Sequence, residues 1–128
     1  METPIVMDSS MWVEFYLGNA KIRTLVIEHL RKRAVIVPSI CIYEVSLAVE
    51  RRIGEDMVKM VVANMREQIV DDLTASRAVS AAQIRNERKL AMADAIVYAT
   101  TLAHGATLLT QDRDFEGLPN VSYHKGTY

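Results

Sequence analysis

One cysteine in 128 residues has no partner for an intramolecular disulfide, and that fits a reducing compartment. Cys41 lies in Ser39-Ile40-Cys41-Ile42, a setting for a small buried thiol rather than a nucleophile. Long apolar runs are missing as well: none approaches the roughly 20 residues that a bilayer span requires. The opening Met1-Glu2-Thr3-Pro4 carries an acid and no basic stretch, so no secretory signal is expected and the chain reads as cytoplasmic. Neither sign of charge dominates. Lys and Arg number 15 against 16 Asp and Glu, a net charge of −1, which excludes a generally basic nucleic-acid binder and leaves only local patches for that role. Low-complexity tracts, repeats and linkers are absent, and 50% of the residues are hydrophobic. The chain therefore reads as one domain, 1–128, with a sizeable core.

Short apolar strands alternate with helices. Ile5-Val6-Met7 reads as a buried strand, and Ser9-Ser10 can cap a helix through Tyr16 that Gly18-Asn19 breaks. Ile22, Leu25, Val26, His29 and Leu30 give a helix from about Ala20 to Arg31. Ala34 to Val37 is a strand stopped by Pro38; Ser39 is expected to cap a helix to about Arg52, closed by Gly54. A helix from Glu55 to Glu67, a short strand at Ile69-Val70 and a helix capped by Thr74 follow. Met92 to His104 is helical, and strands at Thr107–Thr110 and Val121–Tyr123 finish the chain. Strands separated by helices predict right-handed crossovers, a mostly parallel sheet and a three-layer α/β/α sandwich.

On that scaffold four acids stand against apolar stretches: Asp8, Glu44, Asp94 and Asp112. A carboxylate so placed loses hydration unless something positive replaces water. Asp8 and Asp112 follow strands, where open parallel sheets place their active sites, and Glu44 and Asp94 fall early in helices. If the fold gathers them, their repulsion demands a cation, and hard oxygen ligands select Mg²⁺ or Mn²⁺. Hydrolysing a phosphodiester needs a nucleophile near neutral pH and relief of charge in the transition state; such a cation supplies both.

Val6-Met7-Asp8-Ser9-Ser10, Ile42-Tyr43-Glu44-Val45, Ala93-Asp94-Ala95-Ile96 and Thr110-Gln111-Asp112-Arg113-Asp114-Phe115 occur in this order along essentially the whole chain. Together they resemble the PIN-domain nucleases, and within them the VapC-type toxins of toxin–antitoxin pairs. The resemblance implies a metal-dependent endoribonuclease whose Asp8, Glu44, Asp94 and Asp112 hold Mg²⁺ or Mn²⁺, leaving 5′-phosphate and 3′-hydroxyl ends. It gives Asp114, Ser9 and Thr110 secondary roles, and it implies a cognate antitoxin and a homodimer, while the short apolar runs predict no membrane association. One departure is visible: relatives often carry Ser three residues before the third acid, where this chain has Ala91 and so lacks a helix-capping oxygen.

Blander accounts stand beside these. Asp8 can simply cap a helix, and Asp112 and Asp114 can shape a turn. Arg31-Lys32-Arg33 and Arg51-Arg52 read as solvated helix ends. Arg85, Lys89 and Arg113 adjoin the acid segments and are the candidate RNA contacts. Trp12, Phe15 and Tyr16, with Val58, Met60, Val61 and Met65, are either core or, by the resemblance, an apolar ledge for the antitoxin. Two other functions remain open: an RNA-processing nuclease without an antitoxin, and a catalytically silent binding module.

Overall fold

The structure, a computed structural model, describes residues 3–125, so Met1 and Glu2 of the acidic opening lie outside the described residues. Strand β1 (Ile5–Met7) leads into α1 (Ser9–Leu17) and α2 (Ala20–Lys32). Strand β2 (Val35–Pro38) is followed by α3 (Ser39–Arg52) and α4 (Glu55–Arg66), and β3 (Ile69–Asp71) by α5 (Ala75–Arg88) and α6 (Met92–Ala103). Strand β4 (Thr107–Thr110), a 3-10 turn (Arg113–Phe115) and β5 (Val121–Tyr123) complete the order.

The sheet runs β3-β2-β1-β4-β5, and every neighbouring pair is parallel. Its three central strands are apolar and almost wholly buried, as a sheet covered on both faces requires. Right-handed crossovers carry α1–α4 over one face and α5 and α6 over the other, giving the three-layer sandwich. The chain leaves β1 toward β2 on one side and returns beyond it to β4 on the other. The gap past the ends of β1 and β4 is therefore the switch point of the sheet.

Helix α6 is the most enclosed of the helices, with every residue from Ala95 to Thr101 buried. Its two buried hydroxyls are satisfied internally, Thr100 donating to the Ile96 carbonyl and Thr101 to that of Val97, each at 2.9 Å. On the other layer Trp12, Val61 and Met65 are buried, so those three belong to the core, whereas Met60 stays 47% exposed. No helix among the described residues is long and apolar enough to cross a membrane.

Two N-caps differ in detail from the sequence reading, while Gly54 takes its expected place. Asp8, not Ser9 or Ser10, caps α1 by accepting from the Met11 N–H at 3.2 Å. Ser39 makes no cap for α3; its hydroxyl is taken up across the structure, accepting from the Leu73 N–H at 3.2 Å. Gly54 closes α3 through a bond from its N–H to the Val49 carbonyl, and at φ 121 it also stands at the start of α4. The other signals hold. Gly18 ends α1 at φ 87, Asn19 caps α2, and Thr74 caps α5.

Asp71, at the end of β3, joins elements far apart in sequence. It accepts a two-point hydrogen bond from Arg77 of α5, at 3.1 and 3.0 Å, and lies 2.7 Å from the His104 ring at the end of α6. Burial works against its charge, yet the bonds and charges of Arg77 and His104 prevail and hold its carboxyl below the ordinary range.

Candidate active site

Each acid reaches the switch point by a different element. Asp8 follows β1 directly and is 7% exposed. Its Oδ1 accepts from the Ser10 hydroxyl at 2.6 Å and the Met11 N–H, and its Oδ2 accepts a short bond from the Thr110 hydroxyl. Glu44, in the second turn of α3, accepts from the Ser9 hydroxyl at 2.5 Å. Asp94 stands in the first turn of α6, which begins at Ala91 without a side-chain cap; that end carries a partial positive charge suited to an acid. Asp112 follows β4 by two residues, its N–H donating to Thr110 at 2.9 Å, and its Oδ1 accepts from the Asp114 N–H at 2.9 Å.

The tightest grouping is Asp94, Asp112 and Asp114, whose carboxylate oxygens come within 4.8 Å of one another. Asp114, a secondary candidate by sequence, is therefore a full member of the close trio. Asp8 and Glu44 flank it, turned toward their hydroxyl partners, while their charge still reaches it. Burial first, and then the charges of Asp112, Asp8, Asp114 and Glu44, push Asp94 up to about 7. Burial outweighs the bonds of Ser10, Thr110 and Met11 in raising Asp8 as well. An all-oxygen donor set under this much mutual repulsion fits a hard divalent cation.

Cys41 lies directly beneath. It is fully buried, and burial, with the charges of Asp8, Glu44 and Asp94, pushes its thiol far up, so it is neutral packing under the acids. The loop above β4 is anchored by buried Phe115, whose ring lies 6.3 Å from that of Tyr98, and by the Tyr98 hydroxyl donating to the Pro119 carbonyl at 2.8 Å.

The three basic candidates are dispersed and exposed. Arg113 stands between Asp112 and Asp114, Lys89 ends α5 at φ 58, and Arg85 borders an apolar groove between α5 and α6. Two features escaped the sequence reading: Ser10 as a partner of Asp8, and a groove reaching Glu44 whose wall includes Arg51, Arg52 and Gln111. The spacing of Glu44, Ala48, Arg51 and Arg52 along one helical stripe was the available signal.

Thr110 is the joint of the site, donating to Asp8 and accepting from the Asp112 N–H. Thr110→Val keeps the shape and strands the buried Asp8 carboxylate oxygen and the half-buried Asp112 N–H, which costs about 1–3 kcal/mol. It should also weaken Mn²⁺ binding about 10–100-fold, the usual effect of losing an outer-shell partner. Chemical denaturation and metal-dependent melting check the two parts; wild-type values for both would remove Thr110 from the site.

A parallel sheet with acids gathered beyond its carboxyl edge at the switch point defines a class of α/β proteins built around a carboxylate cluster. The PIN domain family model matches residues 5–120, and the chain belongs to that family. No curated protein matches it in sequence. Among solved structures it is similar to a toxin–antitoxin complex from Klebsiella pneumoniae, at 20% identity and TM-score 0.81, covering 94% of this chain and 98% of that one. It is also similar to VapBC2 from Rickettsia felis bound to a promoter DNA fragment, at 14% identity, TM-score 0.74 and coverage of 95% and 98%. A third is VapC20 from Mycobacterium tuberculosis, described as a sarcin-ricin loop cleaving toxin, at 21% identity, TM-score 0.67 and coverage of 88% and 91%. At these identities the likenesses establish the shared fold.

Proposed function

We propose that the chain, as a single domain over 1–128, is a metal-dependent endoribonuclease and the toxin of a toxin–antitoxin pair, acting on RNA in the cytoplasm. One observation carries the reading: five acids from four segments converge at the switch point, where burial and then the charge of the other four raise Asp94 to about 7. Asp94, Asp112 and Asp114 would hold Mg²⁺ or Mn²⁺, with Asp8 and Glu44 completing the set. The bound cation supplies an activated nucleophile and offsets charge on the phosphoryl group. The protein's own part is positional. Ser9 fixes Glu44, and Thr110 and Ser10 fix Asp8, so these carboxylates are set before substrate arrives.

The similar toxin–antitoxin structures and the sarcin-ricin loop cleavage by VapC20 support the RNA substrate and the antitoxin. A homodimer belongs to the same reading. The apolar groove between α5 and α6, beside exposed Val79 and Met92, supports it. Incubating the purified chain with cellular RNA and Mn²⁺, then sequencing the new ends, tests the activity. We expect few cleavage sites, 5′-phosphate products and complete suppression by EDTA. No Mn²⁺-dependent cleavage of any RNA would leave the silent binding module instead.

A further inference from the structure

We propose that the groove between α1 and α3 holds the backbone of single-stranded RNA next to the cleavage point, with Arg51 and Arg52 as its phosphate contacts. The inference deepens the ribonuclease reading and rests on it. The groove encloses about 390 Å³ and is built from two facing helical stripes. From α1 come Ser9 with Val13 and Ser10 with Glu14, each pair four residues apart; from α3 come Glu44, Ala48, Arg51 and Arg52. Four, seven and eight residues separate the last three from Glu44, so they share its side of the helix.

One end of the groove is therefore the acid cluster, through Glu44 and the Ser9 hydroxyl that holds it. The arginines lie about 10 Å further along the helix, seven residues at about 1.5 Å each. Small apolar side chains, Val13 and Ala48, form part of the lining between, suited to a ribose or a base edge. Both arginines are exposed and neither makes an ion pair among the described residues, so their planar donor forks are available for phosphate oxygens. The dipole of α3 favours cations in its last turn anywhere around the axis. It does not account for their lying in line with Glu44. Arg51 and Arg52 offset Glu14 and Glu44 within the groove, and a divalent cation at the cluster would offset part of the charge of the acids at its end.

The test is binding of a short, fluorescently labelled, random-sequence single-stranded RNA across a KCl series, with Ca²⁺ replacing Mn²⁺ and the RNA checked intact afterwards. Arg51→Ala/Arg52→Ala should weaken binding and lower the salt slope by about 1.4, two contacts at about 0.7 each. The same variant should keep the wild-type melting shift with Mn²⁺, showing the fold and acid cluster intact. Arg31→Ala/Lys32→Ala, on the last turn of α2, should keep the wild-type slope. An unchanged slope in the Arg51/Arg52 variant of a chain that binds and cleaves RNA overturns this inference alone, and makes the groove a candidate for an acidic protein segment. An equal loss in the Arg31/Lys32 variant overturns it too, because the effect is then general charge. A wild-type chain that neither binds nor cleaves RNA overturns the ribonuclease reading and this inference with it.

Discussion

Asp94→Asn should reduce Mn²⁺-dependent RNA cleavage by at least ~100-fold, since loss of a mere outer-shell partner already costs about 10–100-fold at a metal site. The variant should nevertheless fold, and without metal it should be the more stable protein at neutral and alkaline pH. The sign follows from the raised carboxyl. Burial and the neighbouring acids lift Asp94 from an ordinary 3.8 to about 7, so between those values the folded chain holds a proton that the unfolded chain has released. Stability then falls as pH rises through that window. Asparagine never ionises and is spared the fall. In EDTA, the two melting temperatures should agree near pH 4, separate as pH rises to about 7, and stay apart above it. A variant that cleaves RNA normally would refute the catalytic assignment; one less stable than wild type at pH 8 would refute the repulsion.

The second large effect is stabilisation by the cation. Mn²⁺ at one hundred times its Kd should add about 2.7 kcal/mol to the native state. For a chain of this size that is on the order of 10 °C in Tm. Because the carboxylates must be deprotonated to bind, the shift should grow from pH 6 to pH 8, in the direction set by the raised Asp94. Asp112→Asn removes a member of the close trio and should abolish most of the shift, whereas Glu28→Gln, on the exposed face of α2, should leave it whole. A shift of full size in Asp112→Asn would mean that the cation binds elsewhere.

The strands and helices were legible because each carries its own local signal. Three-residue β1 is visible as an apolar run ended by Asp8, and α2 as a stripe between Asn19 and a basic last turn. Caps were less legible. Ser39 and Asp8 both offer an oxygen to a helix start, and tertiary partners decided between them: Leu73 took the Ser39 hydroxyl, while Asp8 was fixed between Thr110 and its own helix. The acids could be put at one edge of the sheet from strand order alone. Their ranking could not, because the closeness of Asp114 to Asp94 depends on the 3-10 turn and the buried Phe115 beneath it. The Asp71–Arg77–His104 tie was invisible for the same reason: α6 must be laid across the sheet before His104 and β3 meet.

Counting lone pairs on Asp8 divides the labour within the site. A carboxylate offers about four acceptor positions. Ser10 and Met11 use both on Oδ1, and Thr110 uses one on Oδ2, so a single position is left. Asp8 can therefore give a newcomer one bond and no two-oxygen grip. In the proposed metal centre any two-oxygen grip would fall to Asp94, Asp112 and Asp114, while the oxygens of Asp8 are mostly committed to holding β1, α1 and β4 in place.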